Sequence, residues 1–174
     1  ANVLTWSRLV SIAPLTVLAH LRMDTAFLIV YLIALSTDLI DGRLARWQGT
    51  ANPKGADLDG TIDLLFAFAA LWWLWVLFPE VILGYWPFLL LVACAFVLFF
   101  AASLIRLGRV VMPHLWSGKA AMAIFGLLIP VSYLLGTMAW YIHLTWFVAV
   151  LSRLEMSLFV WSGRTDMDAR SLWF

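Results

Sequence analysis

The sequence predicts an all-α, polytopic membrane protein with six transmembrane helices and both termini in the cytoplasm. Hydrophobic residues make up 64% of the chain and charged residues only 12%, and the mean hydropathy is +0.97. These values lie far from those of a soluble globular domain. The apolar residues also fall into stretches of about 20, the length that a helix needs to cross a bilayer. We therefore expect a single membrane domain over residues 1–174.

Polar and helix-breaking residues divide the chain into six apolar segments. Pro14 lies inside the first, Gly49 and Asn52-Pro53 mark the turn after the second, and Pro79 ends the third. Cys94, the one cysteine, lies in an apolar run, so we expect a small core residue and neither an intrachain disulfide nor a thiolate zinc site. The expected spans are Leu4–Leu21, Thr25–Trp47, Gly55–Phe78, Val81–Leu107, Ser117–Met138 and Trp140–Trp161.

The cationic residues give the predicted orientation. If the turn at 48–54 is cytoplasmic, nine cations lie on that side and only Arg22 lies on the other. Such an excess is the positive-inside signal, and it places the turn and both termini in the cytoplasm, as in a prokaryotic inner-membrane protein. No basic run suggests a nucleic-acid partner. The nine are Arg8, Arg43, Arg46, Lys54, Arg106, Arg109, Lys119, Arg164 and Arg170.

An acidic cluster interrupts the apolar sequence on either side of that turn. Asp38 and Asp41 are three residues apart on the second span, and Asp59 and Asp63 are four apart on the third. Both spacings put a pair on one helix face, and a short turn makes the two helices antiparallel neighbours. We therefore expect four carboxylates to converge in one cleft below the cytoplasmic surface.

Four close carboxylates cannot all be ionised unless cations neutralise them. Hard divalent ions such as Mg²⁺ suit ligand sets made of oxygen alone and are commonly completed by substrate phosphates. Gly42 and Gly55 leave room for a substrate near the backbone, and Arg46 is suited to a phosphate. The alternative is that the aspartates only cap helices or pair with nearby cations, an interpretation that four residues at helical spacing make less favourable.

The motif formed by these residues resembles the signature of the CDP-alcohol phosphotransferase family, class I. The chain reads Asp38-x-x-Asp41-Gly42-x-x-Ala45-Arg46, then eight residues, then Gly55-x-x-x-Asp59-x-x-x-Asp63. It matches the signature at every fixed position over 26 residues. A looser likeness extends to the N-terminal Asn2-x-x-Thr5-x-x-Arg8 and to Lys119 at the start of the fifth span.

This resemblance implies a six-helix membrane enzyme that transfers a substituted phosphoryl group from a CDP-linked donor to an alcohol and releases CMP. It implies that Asp38, Asp41, Asp59 and Asp63 bind Mg²⁺ or Mn²⁺, as two ions, and that Asp63 is the general base. It also implies that CDP is bound around four positions and that two copies of the chain form a homodimer. Those positions are Gly42, Ala45, Arg46 and Gly55.

The expected reaction is transfer of a phosphatidyl group from CDP-diacylglycerol to a small polar alcohol, in phospholipid biosynthesis. Two alternatives stay open at this point: a soluble CDP-alcohol donor with a lipid or soluble acceptor, and a membrane transporter in which the aspartates hold a travelling divalent cation. Arg106, Arg109 and Lys119 would bind the phosphate of a phosphorylated acceptor, or serve only as positive-inside residues.

Arg153 and Glu155 both fall inside the sixth span. Because they are two residues apart, they face different directions. We expect each to find a partner on another helix, in a structural salt bridge or in the wall of an acceptor cavity.

Overall fold

The computed structural model describes residues 2–47, 53–108 and 115–163, with side chains for 6–37, 60–108 and 115–163. Every regular element in these ranges is helical, as the composition predicts. The long apolar runs satisfy their backbone groups within each helix, as a bilayer requires. The helices are α1 Asn2–His20, α2 Asp24–Trp47, α3 Pro53–Leu77, α4 Pro79–Leu83, α5 Trp86–Leu107, α6 Trp116–Gly126, α7 Leu128–Leu135 and α8 Ala139–Trp161.

Four segments of the described chain are long and apolar enough to cross a membrane. They are Gly60–Leu77, Trp86–Leu107, Trp116–Leu135, which contains α6 and α7, and Ala139–Trp161. The apolar part of α2, Asp24–Thr37, is shorter. An integral membrane protein is therefore supported, while six spans and the orientation of the termini stay predictions.

The chain divides into two compact units, Ala1–Pro79 and Glu80–Phe174. The first contains α1, α2 and α3, and α1 packs on both of the others. Helices α1 and α3 run parallel, because the partners of their mutual contacts rise together along the chain. These contacts are Arg8–Asp63, Thr16–Trp73 and, just after α1, Arg22–Leu77.

Helix α2 runs antiparallel to α3 in this unit. Phe27, near the start of α2, contacts Trp73 near the end of α3, with 5.6 Å between ring centroids. Tyr31, one turn further along α2, stacks on Phe66 at 5.9 Å. Trp73 is fully buried, and its indole N–H donates a hydrogen bond to Thr16 Oγ1 at 3.0 Å. The unit therefore has an aromatic core, and the hydrogen bond from Trp73 to Thr16 joins α1 to α3 beside it.

The second unit is organised around α8, which packs on α5 and α6. Helices α5 and α8 run parallel, since Phe88 contacts His143, Phe96 contacts Arg153 and Arg106 contacts Trp161. Helix α6 runs antiparallel to α8. The residue numbers of its partners on α8 decrease as those on α6 increase, from Gly118–Met156 to Phe125–Trp146. A buried apolar cluster fills one end of the unit and consists of Phe99, Ala102, Leu115, Met156, Phe159 and Val160.

Two predicted spans differ from the observed helices for local reasons. The fourth was expected to begin at Val81, but α4 ends at Leu83 and α5 begins at Trp86, with Pro87 in its first turn, where proline is favoured. The fifth is divided after Gly126. Pro130 cannot donate the hydrogen bond that would continue the helix to the carbonyl of Gly126, and its ring clashes with that carbonyl.

The prediction that Cys94 is a core residue is wrong. Its side chain is exposed on α5. An apolar run does not distinguish a face directed at lipid from a face directed at protein, because both surroundings are apolar.

Candidate active site

The acidic motif lies on two helices of the first unit. Asp38 and Asp41 are in the second half of α2, and Asp59 and Asp63 are near the start of α3. The side chains of Asp38, Asp41 and Asp59 lie outside the described residues, as do those of the predicted CDP-binding positions Gly42, Ala45, Arg46 and Gly55. Asp63 is the member of the motif whose side chain the structure describes.

The register of α2 against α3 brings the acidic positions to one end of the unit. Tyr31 and Phe66 are in ring contact at 5.9 Å. Asp38 lies seven residues after Tyr31, and Asp59 seven residues before Phe66. Seven residues advance a helix by about 10 Å, in the same direction for these antiparallel helices. The two backbone positions are therefore at a similar height along the two helices, while convergence of the four carboxylates in one cleft stays a prediction.

The carboxylate of Asp63 pairs with an arginine on the parallel helix. Asp63 Oδ1 accepts a hydrogen bond from the guanidinium of Arg8, in an ion pair between α1 and α3. The Arg8 side chain is 4% exposed and the Asp63 side chain 31% exposed. The cation is thus enclosed by the unit, while part of the carboxylate stays accessible.

Arg8 is the residue at this site whose contact the sequence analysis missed. It was counted among the cytoplasmic cations and as part of a lead-in segment, neither of which names a partner. A signal was present in the sequence, since an arginine inside an apolar span normally pairs within the protein or reaches the interface. Its partner could not be identified, because Asp63 is 55 residues away.

The chemistry of the motif fits a hard divalent cation. Its four potential ligands are all carboxylates, which suit Mg²⁺ or Mn²⁺. Where side chains are described, no three histidine, cysteine or acidic residues come together as a metal site. Three of the four aspartates fall outside that range, so a metal site at the motif stays a prediction.

The three predicted acceptor-phosphate residues have different positions. Arg106, at the end of α5, donates its Nε–H to the carbonyl of Trp161 at 3.2 Å, and its guanidinium lies 5.6 Å from the centre of that indole ring. A cation at the C-terminal end of α8 interacts favourably with the negative end of the helix dipole. This contact gives Arg106 a structural function. Lys119 is exposed on α6. Arg109 lies outside the described residues, and acceptor binding by all three stays a prediction.

Arg153 makes its contact with a neighbouring helix through an aromatic ring. Its guanidinium carbon lies 4.5 Å from the centre of the Phe96 ring on α5, close enough for a cation–π interaction. Arg153 Nη1 also contacts the Met156 sulfur at 3.3 Å. The expectation of an interhelical partner is met by Phe96, while the salt bridge and acceptor-cavity interpretations stay predictions.

Comparison with known proteins gives one match. A family model described as CDP-alcohol phosphatidyltransferase matches residues 1–151 of the chain, which includes the whole acidic motif. No curated protein and no solved structure matches the chain significantly.

Proposed function

The chain belongs to the CDP-alcohol phosphatidyltransferase family, and on that basis we propose that it transfers a phosphatidyl group from CDP-diacylglycerol to a small polar alcohol. The observation that carries the proposal is the complete acidic motif inside the matched residues, on the two antiparallel helices α2 and α3. The family is one of phosphotransferase enzymes, which decides against the cation-transporter alternative.

The part of α3 that follows the motif has an apolar surface suited to the bilayer. Leu65, Phe68 and Trp72 are all exposed there, at 46%, 60% and 52%. They lie three and four residues apart and so form one apolar face on the same helix as Asp59 and Asp63. At about 100° per residue, this face is on the side of α3 opposite Asp59 and Asp63, so it indicates contact of α3 with the bilayer rather than a binding surface for the acyl chains.

Side chains of this protein accept the proton of the attacking alcohol and position the substrate. The alcohol oxygen attacks the phosphorus that carries the diacylglycerol, the bond from that phosphorus to CMP breaks, and CMP leaves. The carboxylate of Asp63 receives the alcohol's proton. Gly42, Ala45, Arg46 and Gly55 would hold the CDP portion. Two Mg²⁺ or Mn²⁺ ions, held by Asp38, Asp41, Asp59 and Asp63, would supply charge stabilisation at the pyrophosphate.

The proposal also covers the membrane location, the topology and the oligomeric state of the enzyme. The acidic end of the first unit faces the cytoplasm of a prokaryotic inner membrane, where CMP and small polar acceptors are soluble. The chain spans this membrane six times and forms a homodimer. Native mass spectrometry in detergent tests the dimer.

The activity is tested with purified protein in mixed micelles of detergent and CDP-diacylglycerol, with Mg²⁺ and a panel of acceptors. The panel contains glycerol phosphate, inositol phosphate, serine and choline. We expect one acceptor to give CMP and a new phospholipid in equal amounts, identified by mass, and we expect chelation of the metal to stop the reaction.

A second arm supplies a soluble CDP-alcohol with diacylglycerol. Product in this arm alone reverses the roles of donor and acceptor and overturns the CDP-diacylglycerol proposal. If neither arm releases CMP from a folded protein, the proposed transfer reaction is wrong.

A further inference from the structure

The buried guanidinium of Arg8 contacts the candidate site, and the proposed reaction does not use it. Arg8 lies about 9 Å along α1 from Asn2, inside an apolar helix. Its side chain is 4% exposed, and it forms an ion pair with Asp63 on α3. A cation that only oriented the protein in the membrane would remain in the aqueous interface.

Attachment of α1 to α3 does not explain why a charge is buried here. Helix α1 is also joined to α3 by the hydrogen bond from Trp73 to Thr16 at 3.0 Å. The turn after α1 is joined to the end of α3 by Arg22 Nη1, which donates to the Leu77 carbonyl at 3.1 Å. Removing two charges from water is costly, and a buried ion pair often stabilises a protein less than apolar residues of the same size. The pairing of Arg8 is therefore better explained by what it does to Asp63.

We propose that Arg8 is a positioning residue for Asp63, an inference that rests on the proposed function. The planar guanidinium holds Oδ1 from the α1 side and restricts the carboxylate to one orientation. The accessible part of the carboxylate is thereby directed at the acceptor hydroxyl. Misplacement of a reacting group by about 1 Å can cost about 100-fold in rate, so a fixed Asp63 has a clear kinetic advantage.

The proposal has a second consequence, because Arg8 and a divalent cation attract the same carboxylate. Removing the arginine's charge should tighten metal binding, while loss of the fixed orientation should slow the reaction. A general loosening of the fold would weaken both. Changes in opposite directions therefore distinguish positioning from a purely structural role.

The first test compares Arg8→Gln and Arg8→Lys with wild type in kcat, KM and Mn²⁺ affinity, the last measured by electron paramagnetic resonance without substrate. For Arg8→Gln we expect kcat to fall by about 100-fold, KM for the donor to stay within about three-fold, and Mn²⁺ to bind about five-fold more tightly. Arg8→Lys keeps the charge but loses the planar fork. Its Mn²⁺ affinity should stay near the wild-type value, with kcat lower by about 10-fold.

Arg22→Gln is the matched control, because Arg22 also joins the α1 side of the unit to α3 across 55 residues. Its kcat and Mn²⁺ affinity should stay within about two-fold of wild type. If Arg8→Gln weakens Mn²⁺ binding together with kcat, or leaves kcat unchanged, the positioning role is wrong. If Arg8→Gln does not fold, the Arg8→Lys result decides: a kcat equal to that of wild type overturns the proposal.

A double substitution separates this inference from the proposed function. In an Asp63→Asn background, Arg8→Gln should no longer tighten Mn²⁺ binding, since its effect acts through the Asp63 carboxylate. This measurement needs no turnover. Failure to release CMP overturns the transfer reaction, whereas persistence of the Arg8 effect without the Asp63 carboxylate overturns the positioning role.

Discussion

At the scale of single residues, the main feature of the described part of the site is the ion pair between Arg8 and Asp63. Asp63 lies in the matched family motif and retains partial exposure, while its partner is enclosed by the unit. The accessible carboxylate is consistent with a group that receives a proton from an incoming alcohol.

We expect Asp41→Asn and Asp63→Asn each to lower CMP release by at least about 100-fold, because each removes a charge from the proposed metal and proton-transfer site. Both proteins should remain folded by size-exclusion chromatography in detergent. Asp24→Asn is the control, since Asp24 begins α2, at the end of the helix opposite Asp41. Wild-type rates in either motif variant would contradict the assignment.

Trp73 shows how one side chain contributes to the first unit. Its ring is fully buried against Phe27, Tyr31 and Phe66, and its N–H bonds to Thr16. Trp73→Phe should cost about 1–3 kcal/mol, from the lost hydrogen bond and the space left by the smaller ring.

The measurement is the apparent melting temperature in detergent, with Trp75→Phe as control because Trp75 is 44% exposed on the same helix. We expect a decrease of several degrees for Trp73→Phe and little change for the control. Equal decreases would mean that the buried indole has no special part in joining α1 to α3.

At the scale of helices, the second unit depends on close approach of α6 to α8. A Cβ at Gly118 would lie 2.4 Å from the terminal methyl of Met156, so the missing side chain makes room for the methionine. Met156 also belongs to the buried cluster and contacts Arg153 through its sulfur. This packing therefore joins α6, α8 and, through the ring of Phe96, α5.

Gly118→Leu should destabilise the second unit by about 1–3 kcal/mol, because the new side chain must displace Met156 or separate the helices. In a Met156→Ala background, Gly118→Leu should cost less stability than in wild type, since alanine leaves free the space that the leucine side chain needs. Ala120→Leu, at an exposed position of α6, controls for added bulk. Thermal unfolding of wild type, both single variants, the double variant and the Ala120→Leu control tests the coupling, and strictly additive effects would argue against direct packing.

At the scale of the whole chain, the two units show the same alternation of helix direction. Helix α2 is antiparallel to α3, and α6 is antiparallel to α8, while α1 runs parallel to α3 and α5 parallel to α8. Consecutive membrane crossings joined by short loops must alternate in this way. The directions within each unit therefore support the proposed six-span topology.

That topology predicts which loops face the cytoplasm. In a Cys94→Ser background, single cysteines at Thr50 and Ser162 should react with a membrane-impermeant thiol reagent only in inside-out vesicles. Cysteines at Met23 and Thr137 should react only in right-side-out vesicles. Labelling of Thr50→Cys and Thr137→Cys from the same side would rule out the alternation, while a uniform reversal would keep six spans and invert the orientation.

The sequence by itself determined the helical class, the approximate ends of the helices and the complete acidic motif. These are local properties: the length of an apolar run, the position of a proline or glycine, and the spacing of aspartates along one helix. The family match confirms the resemblance on which the proposed reaction rests. The boundaries that failed, near Gly84 and Gly126, depend on single turns within otherwise apolar sequence.

Only the tertiary structure decided which side of each helix is buried and which distant residues meet. Trp73 is buried while Trp72 and Trp75 are exposed, and hydropathy could not separate them because lipid and protein interior are similarly apolar. The pairing of Arg8 with Asp63 joins residues 55 positions apart through the packing of two parallel helices. The acidic motif can therefore be identified from the sequence alone. The contact between its accessible carboxylate, that of Asp63, and Arg8 depends on the tertiary structure.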